Sequence, residues 1–267
     1  MAQQQGFITA VFHWLSERLR DVAQWPINFI RDLPTRLSRL AQTVWQGLKA
    51  VFLIWPALFA ATQTGQVRPW LGQTAAQLGG WLHRLLTQLF DLLGGPEIFQ
   101  FIMHLITRTT PLTGEEIADI SAVLGPNALR YEDIRVAEGG LFDYIFKLNG
   151  NLAFATWHTV NMPREGHHTR ANRAILVHEL THVYQYERVG TRYLGEAIYM
   201  LIKTKRDCYN YGAAAGLQQA CASGHTYRDF NREQQAQITQ DYFTLRQRGA
   251  DVTAYEPFIA QAQAGII

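Results

Sequence analysis

Cysteine is nearly absent from this 267-residue chain. Cys208 and Cys221 are too few for a disulfide scaffold, and neither has a second cysteine at structural-zinc spacing. They can form one bridge or remain two free thiols. Charge of one sign is lacking as well: 24 Lys and Arg face 22 Asp and Glu, and the net charge is +2. With no Lys/Arg run, the electrostatic footprint of a nucleic-acid binder is missing. No signal peptide is expected, because Met1-Ala2-Gln3-Gln4-Gln5 carries no positive charge and no small-residue cleavage site follows a clean apolar core. The most apolar window, residues 50–61, falls short of the ~20 residues a spanning helix needs, and Pro56 interrupts it. Extending that window over residues 44–62 brings in Gln46 and Lys49.

The aromatic residues are segregated. Tyrosine is missing before residue 131, and tryptophan after residue 81 is reduced to Trp157. Two regions built for different surroundings follow from this, with a junction at Thr109-Thr110-Pro111-Leu112-Thr113-Gly114. The expected division is 1–110, an all-α amphipathic region rich in Trp and Arg, and 111–267, an α+β domain.

In the first region Phe7, Ile8, Val11, Phe12, Trp14, Leu15 and Leu19 repeat at three-to-four spacing, with Glu17, Arg18 and Arg20 opposite. Residues 33–40 and 82–93 do the same. Pro26, Pro34, Pro56, Pro69 and Pro96 are expected to end or kink helices. Six Trp, with nine Lys and Arg against five Asp and Glu in residues 1–108, suit helices lying in an anionic bilayer surface or on a hydrophobic partner. An ordinary helical bundle is the alternative.

In the second region, residues 112–125 read as a helix capped by Thr113 and ended at Gly125. Residues 133–136 read as a strand. Residues 141–148 and 152–160 flank Asn149-Gly150 and read as a hairpin. Helices are expected at 170–188, 194–205 and 232–248.

The motif that carries chemistry is His178-Glu179-Leu180-Thr181-His182, within an apolar-periodic stretch. Residues four apart share a helix face, so both imidazoles converge on one point. Two imidazoles suit Zn²⁺, and Glu179 can act as general base on a metal-activated water. The metzincin extension is missing, since position 185 is Gln and position 188 is Arg. A later Glu is therefore expected as third ligand. Glu233, four residues before Gln237 and three before Ala236, is the first choice, and Glu196 the second. Glu187 falls on the far face of the helix. Gln237 stands where a thermolysin-like Asp would orient a ligand His, with Asp241 as a substitute. Tyr242, Tyr211 and His225 are candidate oxyanion stabilisers, and His167-His168 reads as a polar loop.

A strand layer followed by an HExxH helix is the zincin order, with residues 152–160 as the strand that pairs with extended substrate. The run His178-Glu179-Leu180-Thr181-His182-Val183-Tyr184-Gln185 resembles the H-E-x-T-H-V-x-Q core of a family of bacterial metallopeptidase domains. Members of that family are often associated with contractile injection systems and polymorphic toxins. Val136-Ala137-Glu138-Gly139-Gly140 and Asn231-Arg232-Glu233-Gln234-Gln235-Ala236 are similar to phrases of such domains, and the likeness covers residues 112–248. The resemblance implies a zincin-like fold with a small antiparallel sheet packed on the HExxH helix, a zinc cofactor, and hydrolysis of a peptide bond in a peptide or protein substrate. Its alternatives are a catalytically inactive zincin-fold interaction or structural module, and a membrane-perturbing toxin-associated protein. It also implies export by a specialised secretion system, while the N-terminal helices imply a peripheral membrane position.

Overall fold

A computed structural model of the chain describes residues 2–140 and 143–267. Met1, Leu141 and Phe142 lie outside the described residues, as do the side chains of residues 2–13 and of Asp21. The stripe positions Phe7, Ile8, Val11 and Phe12, and the Leu141-Phe142 start of an expected strand, fall there.

The molecule is mostly helical, with one small mixed sheet. Helix α1 (Ala2–Gln63) turns at Gly65 into α2 (Val67–Leu92), and α3 (Gly95–Ile106) folds back beside them. Helix α1 runs without a break through Pro26, Pro34 and Pro56, where the sequence predicts ends or kinks. Each proline removes one intrahelical hydrogen bond, but long helical flanks carry the chain across it. Pro69 and Pro96 sit in the first turns of α2 and α3, where the missing N–H costs nothing.

Strand β1 (Thr109–Pro111) spans the expected junction and pairs antiparallel with β2 (Arg135–Glu138). Between them α4 (Gly114–Leu124) begins at Thr113, whose side chain accepts from the Glu116 N–H while Glu116 reaches back to the Thr113 N–H. This is the capping expected from the sequence.

The expected strand at 141–148 is instead helix α5 (Asp143–Asn149). Asn149-Gly150 ends that helix rather than turning a hairpin; Gly150 has φ +80°. The hairpin lies further on, between β3 (Phe154–Thr156) and β4 (Thr159–Met162), around Trp157-His158. Strand β4 runs parallel to β2, so the sheet order is β1-β2-β4-β3 and the sheet is mixed, not antiparallel. The reason is α5: parallel neighbours need a crossover, and a helix supplies one.

The sheet supports α6 (Arg173–Val189), buried on every side from Ile175 to Tyr186. Helices α7 (Arg192–Thr204), α8 (Ala213–Ala222), α9 (Arg232–Gln247) and α10 (Glu256–Gln263) enclose the rest. Helix α9 packs along α6, where Ala236 is fully buried and Thr181 and Thr239 touch hydroxyl to hydroxyl at 2.7 Å. Leu176, Leu180 and Val183 fill the core on α6, each worth about 1.5–3 kcal/mol when fully buried.

The N-terminal helices dock on this body through charged groups. Arg130 holds Asp32 of α1 at 2.6 Å, Arg31 pairs with Asp133 at 2.5 Å, and Arg39 donates to the Glu187 and Arg188 carbonyls. Asp91, near the end of α2, accepts from the Thr191 N–H at 3.0 Å and from its hydroxyl. Gly190 has φ +72°, and a Cβ there would stand 2.1 Å from the Asp91 carboxylate, so a side chain is excluded twice over.

Glu116 also receives Arg170 through Nε and Nη2, each at 2.7 Å, which ties α4 to the loop before α6. Burial opposes ionisation of Glu116, but the guanidinium overrides it and holds the carboxyl below its ordinary value of 4.5. A depressed carboxylate pKa stabilises the fold above the unfolded value and loses that contribution as pH falls through the folded one. Glu116→Ala should cost about 2–3 kcal/mol at neutral pH in denaturant unfolding. The gap from the parent protein should close as the pH is taken below about 4.5. A pH-independent gap would contradict this account.

Candidate metal centre

Helix α6 presents His178 and His182 one turn apart, with ring centroids 5.0 Å from each other. Helix α9 presents Glu233 from its first turn, after Asn231 caps the helix by accepting from the Gln234 N–H. Glu233 Oε2 lies 3.3 Å from His178 Nε2 and 3.4 Å from His182 Nε2. One ligand atom from each residue falls within 4.8 Å of the others. All three residues are buried, each less than a tenth exposed.

The orientation of each group has a cause. His182 Nδ1 donates to Gln185 Oε1 at 2.9 Å, which leaves Nε2 free to face Glu233. Gln185 is fixed in turn by donating to the Arg232 carbonyl and to Gln235 Oε1. This is the outer support that a metal-binding His needs. Gln185 sits three residues after His182, one helical turn along, and that spacing was the available signal for its role. Asp241 does not take this part: it accepts from the Tyr211 hydroxyl at 2.6 Å and from Gln237 at 2.9 Å.

Burial alone would pull the His182 imidazolium down; the Glu233 carboxylate overrides it and pushes the group up to about 9. Burial opposes the charge of Glu233 too, but His182 and His178 hold its carboxyl well below the usual range. The cluster is thus built to keep positive charge beside a buried carboxylate. Tetrahedral zinc with bonds of about 2.0–2.2 Å sets its ligand atoms roughly 3.4 Å apart. The two N···O separations match that spacing, and two imidazoles with one carboxylate are a donor set that zinc accepts. The residues present fit the metal.

Glu179 lies against the same cluster. Burial raises its pKa, against the pull of His178 and His182, and the Ala155 N–H of β3 steadies the carboxylate. Its Oε2 is buried with no hydrogen-bond partner among the described residues, an acceptor facing no donor. The Ala155 carbonyl accepts from the Tyr193 hydroxyl at 3.1 Å, and the same hydroxyl accepts from the Trp157 N–H at 3.0 Å. The outward backbone groups of Ala155 are therefore engaged by the protein itself. Substrate pairing along this strand, expected from the sequence, is closed at that residue because Glu179 holds its N–H and Tyr193 its carbonyl.

The other candidates are placed elsewhere. Glu196 bridges Arg192 and Arg232, the latter at 2.8 Å. Glu187 binds His158 at 3.0 Å. Tyr211 is joined to Asp241 and Tyr255, Tyr242 lies in the core, and His225 is exposed. His168 is half-buried and His167 exposed in the loop before α6. Tyr209, which no spacing singled out, stands beside the cluster with its ring 5.9 Å from His178. Burial raises its hydroxyl pKa, and the Glu233 carboxylate adds to the effect. Both cysteines are free thiols.

The fold and the site together describe an α+β protein with a His-His-Glu cluster on two packed helices. No family model matches the chain, and no solved structure matches it. A curated relative is the type VI secretion system spike protein VgrG2b of Pseudomonas aeruginosa, 25% identical over 179 residues. The match covers 62% of this chain and 15% of that protein, so the chain spans a small part of the relative's length. The similarity is partial and agrees with an association with secretion systems.

Glu233→Ala should weaken binding of a divalent metal sharply in a chelator competition, while Glu196→Ala should leave it within a few-fold of the parent. The reverse result would move the third ligand to Glu196. Gln185→Leu should lower metal affinity about 10–100-fold by releasing His182. An unchanged affinity would show that Gln185 does not set the ring.

Proposed function

We propose that the chain is a zinc-dependent peptidase with a zincin-like centre, associated with a secretion system of the type VI kind. The observation that carries the reading is the meeting of His178, His182 and Glu233 around one point, with Glu179 alongside. His178 and His182 would hold Zn²⁺ through Nε2 and Glu233 through Oε2. When bound, the metal supplies Lewis acidity, which brings water close to ionisation near neutral pH.

The protein's own groups do the rest. Glu179 Oε2 takes the proton of the attacking water and returns it to the leaving amine. Its raised pKa makes it a stronger base than an exposed carboxylate. Tyr209 donates its hydroxyl proton as a hydrogen bond to the developing oxyanion, the role sought among Tyr211, Tyr242 and His225. Gln185 keeps the His182 ring in register. Deep burial excludes bulk water and strengthens each of these interactions.

A second reading, a catalytically inactive zincin-fold module that uses metal for stability, is favoured by one observation. The ligands are buried and the outer edge of β3 is occupied at Ala155 by Glu179 and Tyr193.

Glu179→Gln should keep about one zinc per chain and lose hydrolysis of any peptide the parent cleaves, because an amide cannot take the proton. His182→Ala should lose both. Tyr209→Phe should lower kcat by about 10²–10³ with little change in KM. A zinc-loaded parent that leaves a degenerate peptide library intact would decide for the inactive module.

A further inference from the structure

We propose that the distal half of the α1–α2 hairpin inserts into a lipid bilayer with anionic headgroups. Residues 44–63 of α1 form the first arm and residues 67–82 of α2 the second, joined at Gly65. The arms pack together where the Trp81 ring lies against Gly47, with its Nε1 donating to the Thr43 carbonyl at 2.8 Å. Beyond that level most residues of both arms are exposed.

The exposed apolar residues there do not form a stripe. Val51, Phe52, Leu53, Ile54 and Trp55 are consecutive and all exposed, Phe52 by 80% and Trp55 by 72%. Five consecutive positions cover more than a full turn. A helix that lies flat in a bilayer surface needs a polar face, and this segment has none over that turn. Insertion satisfies it; surface adsorption leaves half of it in water.

Charge and length point the same way. Residues 33–90 contain no Asp or Glu. Residues 50–67 and 69–83 also contain no Lys or Arg, so the charges of the hairpin are Lys49 and Arg84 at its base and Arg68 at its tip. A 20-residue arm is about 30 Å long, the thickness of a hydrocarbon core. The basic side chains at both ends can reach headgroups while the stretch between lies in acyl chains. By length and composition α1 is apolar enough to cross a membrane, with only 6% of its most apolar window buried. Anionic lipid complements the all-basic ends, which a second copy of the same basic hairpin would repel.

Flotation of the full chain with vesicles of phosphatidylcholine and phosphatidylglycerol in equal parts tests this. The protein should float with them, and far less with phosphatidylcholine alone. Its Trp emission should be quenched by lipids brominated in mid-chain, since Trp45, Trp55, Trp70 and Trp81 lie in the hairpin. Phe52→Glu with Trp55→Glu should lower the partition by roughly a hundredfold. Both positions are exposed, so unchanged circular dichroism and metal content would show the fold kept. Lys49→Glu with Arg68→Glu should remove the preference for phosphatidylglycerol. The proposal is overturned if the parent stays unbound to anionic vesicles, if the Phe52/Trp55 variant binds as the parent does, or if only headgroup-level quenchers act. It is also overturned if the parent ignores vesicles and forms an oligomer that the Phe52/Trp55 variant disperses.

Discussion

Two carboxylates, Glu179 and Glu233, are buried beside two imidazoles, and the body of the protein is organised around making that tolerable. A buried charge without compensation costs several kcal/mol. Here the compensation comes from the convergence of α6 and α9, which puts each imidazole within 3.4 Å of the Glu233 carboxylate. The convergence needs close packing, and small side chains at Thr181, Ala236 and Thr239 permit it. It also needs α6 to be enclosed, so the helix is apolar on the faces that do not carry the motif. Moving either helix by an ångström would leave Glu233 without partners.

The hairpin turn at Trp157-His158 shows how far the N-terminal helices reach into this arrangement. Trp157 has φ +53°, a conformation that a bulky side chain adopts only under constraint. The constraint is its indole N–H on the Thr191 hydroxyl, and Thr191 is held by Asp91 of α2. His158 beside it binds Glu187, on the last turn of the motif helix, while Arg130 joins Asp32 of α1 to the same corner. The base of the helical arm therefore shapes the strand that touches Glu179, whereas its distal part carries exposed apolar surface. Polar docking at one end and apolar exposure at the other are a division of labour within one pair of helices.

Much of the site could be read from the chain because helical periodicity acts locally. His178, Glu179 and His182 follow from a single turn of helix, and the Thr113–Glu116 cap from four consecutive residues. Glu233 was within reach because its helix begins at a clear Asn cap and carries a small residue one turn later. Tyr209 and the outer engagement of Ala155 gave no such signal, since both depend on segments that meet only in the folded chain. The strand expected at 141–148 failed for a related reason. Its apolar run, bounded by Asn149-Gly150, suits a short helix as well as a strand, and periodicity cannot separate them.

The sequence by itself determined the motif helix, the Thr113 cap of α4, the segregation of Trp from Tyr and the unbroken absence of acid between residues 33 and 90. These rest on spacing within a turn or on composition, which need no knowledge of distant contacts. Only the tertiary structure decided which Glu meets the imidazoles, that Gln185 rather than Asp241 orients His182, that the sheet is mixed, and that Pro56 lies inside an unbroken helix. Each of those depends on groups far apart in sequence or on the length of helix flanking a defect. The energy that selects among such alternatives comes from packing, which the order of residues does not state.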